Sequence, residues 1–327
     1  MICGMDCRIG FIFAAQGALV WLAGWPAACP AVSAQIATPV SAVSQPTSAL
    51  RDQLFRFYGL PTPASRARIS GEIPGSRLKF KLRDQYQIVV RGTIGRFHGL
   101  NFLIDTGSVP TMVDWRLARK LGVALENSEI VAFGKRTRNK KTVLSSIQVG
   151  SLRVDDLPAE VGDLSFAPDL DAIVGLDVLA RASFRIDYEA RELTFGLLPS
   201  REPDIPLEAT PPFLTIQLAL AGHPIRLLVD TGSRHLILFE RRVHNRLPRL
   251  PKRGEKILYH ASGASRLFRV SLPDLDIAGT MVDHLEGLLS DAAVDGYPPG
   301  IDGVLGVRAV ASRLAEFDFE RSLLHLQ

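Results

Sequence analysis

The chain has 327 residues, 46% hydrophobic and 22% charged, which excludes wholesale disorder and is too long for one small domain, so two lobes of ordinary size are expected. Lysine and arginine are scattered, and a net charge of +4 gives no support to nucleic-acid binding. The three cysteines, Cys3, Cys7 and Cys29, all lie near the start, so removing that segment leaves neither thiol chemistry nor a disulfide.

That starting segment reads as a secretory signal. Arg8 begins it, an apolar run covers Ile9 to Trp25, and Val32-Ser33-Ala34 offers the small residues a signal peptidase requires, so cleavage is expected after Ala34. The product is an exported protein, periplasmic or secreted, with no stable membrane span. A retained anchor is the alternative, for which the run is short. A lipid anchor at Cys29 is another: Ala27-Ala28-Cys29 resembles the end of a bacterial lipobox, although Pro26 stands where that motif has a larger aliphatic residue. Residues 35–64, rich in Ala, Ser, Thr and Pro, show no periodicity and read as a flexible lead-in.

The first lobe is assigned to residues 65–200. Ile88 to Ile94 is an expected strand that turns at Gly95 into an apolar strand closing with Phe102-Leu103-Ile104-Asp105-Thr106-Gly107-Ser108. Asp114 is placed to cap a short helix through Leu117 and Leu121 that stops at Gly122. Val131 to Val143 is a candidate hairpin, and its basic run Lys135 to Lys141, with no aromatics interleaved, reads as a solvated tip. Asp171-Ala172-Ile173-Val174-Gly175, then Asp187-Tyr188-Glu189, then Leu193 and Phe195 complete the series. Pro203, Pro206, Pro211 and Pro212 forbid a continuous element, which places the boundary near Ser200 and the second lobe at 201–327.

The same series then returns. Leu214 to Leu220 turns at Gly222 into Leu227-Leu228-Val229-Asp230-Thr231-Gly232-Ser233, with Phe239 to Leu247 as counterpart of the first helix and Tyr259 to Phe268, tipped by Ser262-Gly263-Ala264, as a second hairpin. Asp302-Gly303-Val304-Leu305-Gly306, Asp318-Phe319-Glu320 and the pair Leu324 and Leu326 follow in order. In both halves the acidic turn begins twelve residues after the last glycine. The chain therefore carries a duplication. The expected class is all-β with few short helices, in two pseudo-symmetric lobes.

A carboxylate at the end of a buried apolar strand is costly unless satisfied, so Asp105 and Asp230 need donors and a reason to be there. Glycine after the threonine frees the backbone to bring amides toward the carboxylate, and the Ser108 and Ser233 hydroxyls are in a position to donate to it. If a pseudo-two-fold axis relates the lobes, the loops meet. Two like charges so close share one proton and titrate as a unit. Such a pair activates water: its ionised member takes a proton while its protonated member donates to a peptide carbonyl oxygen, with no metal and no cofactor.

At these residues the chain resembles the pepsin and retropepsin superfamily, in particular its bacterial retropepsin-like members. The apolar-apolar-Asp-Thr-Gly-Ser motif and the apolar-apolar-Gly motifs Ile173-Val174-Gly175 and Val304-Leu305-Gly306 carry the likeness, each twice, over about residues 85–327. The resemblance implies an aspartic endopeptidase of pepsin-like, bilobal closed-barrel form, with Asp105 and Asp230 catalytic and a polypeptide substrate. It implies that Thr106 and Thr231 lock the two loops together, assisted by Gly107, Ser108, Gly232 and Ser233. Hairpins cover the cleft in that family, and either candidate hairpin fits the role here. Val109-Pro110 and Arg234-His235 depart from the small residues that usually follow the motif. The duplication makes a monomer, an intramolecular pseudo-dimer, sufficient.

Other chemistries are not supported. The histidines show no zinc spacing, Asp291, Asp295 and Asp302 do not fit an EF-hand, and there is no Gly-x-Ser-x-Gly elbow. Asp171, Asp187, Asp302 and Asp318 read as turn or structural hydrogen-bonding residues. The competing functional class is a non-catalytic peptide-binding protein that retains the fold.

Overall fold

The computed structural model describes residues 49–58, 67–69, 77–132, 135–196, 198–199, 202–260, 263–291 and 296–327. The signal segment with its three cysteines, most of the lead-in, the Ser200 boundary and the hairpin positions Gly134 and Ser262 lie outside the described residues.

Each half is built by the same sequence of pairings. A hairpin, Gln87–Ile94 with Phe97–Ile104 in the first half and Phe213–Leu220 with His223–Asp230 in the second, delivers the Asp-Thr-Gly loop. The second strand of that hairpin lies parallel to the apolar-apolar-Gly strand, Ala172–Val174 or Gly303–Gly306. That strand is antiparallel to Met112–Asp114 or Leu236–Phe239, which runs parallel to Leu152–Gly162 or Glu286–Ser290. A long hairpin then extends outward: Glu126–Ala132 with Lys135–Val149, or Lys252–His260 with Gly263–Ser271. Parallel strands need both faces covered, and the motif strands accordingly read as unbroken apolar runs, with Phe102, Leu103 and Ile104 buried alongside Leu227, Leu228 and Val229.

The lobes close differently. In the first, Gly92–Ile94 pair with Ile147–Val149 and complete a ring of strands. In the second, Phe213–Leu220 pairs with Leu275–Ile277 instead, and the ring is not completed among the described strands. Among the described strands the closed ring is that of the first lobe.

The closing strands of the two halves meet edge to edge. Phe184–Asp187 pairs antiparallel with Leu314–Asp318, which joins the first lobe's sheet to strands of the second and stacks Phe184 on Phe317 at 4.6 Å. One hydrophobic core runs through both lobes, from Ile88 and Phe102 to Leu214 and Leu305.

The helices are short. Asp114 caps Trp115–Leu121 by accepting from the Arg116 amide, and Gly122 ends it in the left-handed region, as the sequence indicates. The expected counterpart over Phe239 to Leu247 shortens to Glu240–Val243. The lead-in departs from expectation: Ala49–Phe57 is a helix with Leu50, Leu54 and Phe55 buried. Too short to hold by itself, it is fixed by docking. Arg51 reaches the Arg181 carbonyl and pairs with Glu320, Tyr58 donates to the Pro212 carbonyl, and the Arg181 guanidinium lies over the Phe55 ring at 5.0 Å.

Candidate active site

The two motif strands end side by side, and the loops following them interlock. The Thr106 hydroxyl donates to the Val229 carbonyl and the Thr231 hydroxyl to the Ile104 carbonyl, each at 2.8 Å. Each hydroxyl oxygen also accepts the other threonine's backbone amide at 3.1 Å. Four reciprocal bonds fix the loops to each other.

Asp105 and Asp230 are fully buried. The Gly107 amide donates to Asp105 Oδ1 at 2.9 Å and the Gly232 amide to Asp230 Oδ1 at 2.7 Å. The Oδ2 atoms of both carboxyls accept no hydrogen bond from the protein among the described residues. The glycines have a role the sequence did not disclose. Neither needs a left-handed backbone, yet a Cβ on Gly107 would lie 2.6 Å from Asp230 Cγ, and one on Gly232 would lie 2.7 Å from Asp105 Cγ. Each glycine is the floor on which the opposite carboxyl rests.

The serines act differently from expectation. The Ser108 hydroxyl donates to the Pro110 carbonyl at 3.5 Å and the Ser233 hydroxyl to the His235 carbonyl at 3.3 Å, because the loop curls each Oγ onto the carbonyl two residues on. It is the serine backbone amides that favour the ionised carboxyls.

Burial raises both carboxyl pKa values. For Asp105 it outweighs the effect of the adjacent Asp230 carboxyl and of the nearby Gly107, Gly232 and Ser108 amides, and for Asp230 the neighbouring Asp105 charge adds to it. The pair holds a proton well above the ordinary carboxylate range. Tyr297, buried against Phe239 at 4.6 Å, is raised by burial and by the Asp230 charge.

A second layer supports the loops. The apolar-apolar-Gly motif packs directly against them: a Cβ on Gly175 would lie 2.4 Å from the Ser108 carbonyl oxygen, and one on Gly306 2.7 Å from that of Ser233. Asp177 was not singled out in the sequence. It is fully buried, accepts from the Thr111 amide at 2.9 Å and hydroxyl at 2.7 Å, and Thr111 in turn accepts the Gly175 amide. The available signal was an acidic residue two places after the motif glycine. In the second lobe that place is Arg308, which donates to the carbonyls of Ala311 and Ser312, so the support is not symmetric. Asp171 and Asp302 play matched structural parts, accepting the Asn101 and Arg226 amides at 2.8 and 2.9 Å. Asp187 and Asp318 stabilise hairpin turns by accepting the Ala190 and Glu320 amides.

Beside the second loop, His235 has its Nε2 2.6 Å from Lys256 Nζ. Burial and the charges of Lys256, Arg234 and Arg269 hold the imidazole down to about 3, so it is neutral and accepts from the ammonium. No group of three or more His, Cys, Asp or Glu side chains among the described residues is arranged to hold a metal ion, and no helix there is long and apolar enough to cross a membrane.

A comparison with curated proteins finds no match. Among solved structures, a retropepsin-like aspartic protease from Rickettsia conorii is similar at 22% identity over 36% of this chain and 86% of that one, with a TM-score of 0.28. The family model described as aspartyl protease matches residues 88–178 and again 216–309, more than half of the chain and both copies of the repeat. The chain belongs to the aspartyl protease family.

Proposed function

We propose that the protein is an endopeptidase that hydrolyses polypeptides with water activated between Asp105 and Asp230. The observation that carries this reading is reciprocal: each carboxyl rests on the glycine of the opposite loop, and the two threonines bind the loops to each other. With one proton between them, the ionised carboxyl takes a proton from water as the water oxygen bonds to the peptide carbon. The protonated carboxyl donates to the carbonyl oxygen, which gives a neutral tetrahedral diol. On collapse a diol hydroxyl returns its proton to the carboxyl that had donated one, the carboxyl protonated by water gives its proton to the nitrogen, and the C–N bond breaks to release acid and amine with the pair again sharing one proton. The protein forms no covalent adduct in this sequence.

The repeat supports one chain as the complete catalytic unit, with lobes near 65–200 and 201–327. The segment from Arg8 to Ala34 supports export to the periplasm or beyond.

Asp105→Asn and Asp230→Asn should each lower kcat/KM on a susceptible peptide by at least about a thousandfold, the scale of positioned acid–base catalysis, with an unchanged circular-dichroism spectrum. Full activity in either variant excludes the mechanism.

A further inference from the structure

The two Asp-Thr-Gly-Ser loops lead into different chemistry. Val109-Pro110 follows the first and Arg234-His235 the second. His235 is pinned to its loop through both backbone groups: its amide donates to Ser233 Oγ at 3.4 Å, and its carbonyl accepts the Gly306 amide at 3.0 Å. The outer hairpin of the second lobe reaches the same place. Along Lys252–His260, Glu255, Ile257 and Tyr259 are exposed, while Lys256 is half-buried and Leu258 and His260 are buried. The hairpin's inner face thus carries the Lys256 ammonium onto the His235 ring.

The charge at this spot is unbalanced. Arg234, Lys256 and Arg269 all act on the imidazole, and the facing acidic group is Glu286, which lies 3.9 Å from Arg269. Among the described residues neither Arg234 nor Lys256 takes part in an ion pair. A half-buried ammonium whose hydrogen-bond partner is a neutral ring has given up hydration without gaining a counter-charge, so a carboxylate arriving there is strongly favoured. No such group follows the first loop, where the corresponding residues are valine and proline.

We propose that Arg234, His235 and Lys256 form a carboxylate-recognising subsite on the second lobe's edge of the cleft. It selects polypeptides carrying an Asp or Glu side chain at one position near the scissile bond. His235 orients the Lys256 ammonium, Lys256 bonds the carboxylate, and exposed Arg234 draws it in. The inference rests on the peptidase reading for its substrate class.

The test uses acetylated, amidated peptides, which carry no terminal carboxylate, differing only by Glu, Gln or Lys at successive positions. Two quantities are read: kcat/KM on the wild-type chain and Kd by calorimetry on the full-length Asp230→Asn chain. Both should favour Glu over Gln by about ten- to a hundredfold at one position, as expected for a charge-assisted bond in a sheltered site. Lys256→Gln should bring the ratio to about one, and Lys256→Glu should invert it in favour of Lys at that position. A ratio near one at every position, or a ratio that survives both Lys256 variants, overturns the proposal. Cleavage without discrimination sinks this inference alone. Discrimination in Kd with no cleavage at any pH sinks the peptidase reading and leaves the subsite standing.

Discussion

At the scale of single residues, the site depends on side chains that are absent as much as on those present. Gly107→Ala would drive a methyl into the Asp230 carboxyl and Gly232→Ala into that of Asp105. Because a misplacement of about 1 Å can cost a hundredfold in rate, kcat/KM in either variant should fall by about that factor or more. Thr106→Val removes a donor to Val229 and an acceptor for the Thr231 amide, both buried, and should cost about 2–4 kcal/mol in urea unfolding, while Thr106→Ser preserves both bonds and should stay close to wild type. The sequence made the aspartates and threonines legible because they recur in register within a duplication. It did not reveal why the glycines are required, since that reason is a contact of Gly107 with Asp230 and of Gly232 with Asp105, residues in opposite halves of the chain. Nor did it reveal where the serine hydroxyls point, which a two-residue curl of the loop decides.

At the scale of elements, strands that alternate or run apolar announced themselves, as did the helix that Asp114 and Gly122 bracket. The helix Ala49–Phe57 did not, because its apolar stripe of Leu50, Leu54 and Phe55 is too short to stand out beside a lead-in rich in Ala, Ser, Thr and Pro. It joins parts of the molecule far apart in sequence: Arg51 bonds to Arg181 and Glu320, and Tyr58 to Pro212. Leu54 has no exposed surface, so Leu54→Ala should destabilise the protein by about 2–5 kcal/mol, read as a lower denaturation midpoint at unchanged slope. An unchanged midpoint would mean that the helix is not docked as described. The two long hairpins were equally plausible covers for the cleft on sequence grounds. The inner face of Lys252–His260 reaches His235 beside the motif loop, which makes that hairpin the one expected to sense substrate charge.

At the scale of the whole molecule, the two copies share a sheet and a core, and the cost of the site is spread over both. The folded state holds a proton on the buried Asp pair above pH 3.8, the ordinary aspartate value, whereas the unfolded chain releases it there. The pair's contribution is therefore complete below that pH and is lost as pH rises through the raised folded values. Melting temperature should accordingly decline over that interval. Asp230→Asn, with nothing to ionise at that position, should flatten the decline and melt higher than wild type at neutral pH. The most direct measurement of the central claim is the pH profile of kcat/KM for peptide cleavage by the wild-type chain beside Asp105→Asn and Asp230→Asn. The account predicts a bell whose two limbs belong to the shared-proton pair, and no cleavage by either variant. Cleavage at the wild-type rate by one of them, or no cleavage by the wild-type chain at any pH from acid to neutral, would contradict it.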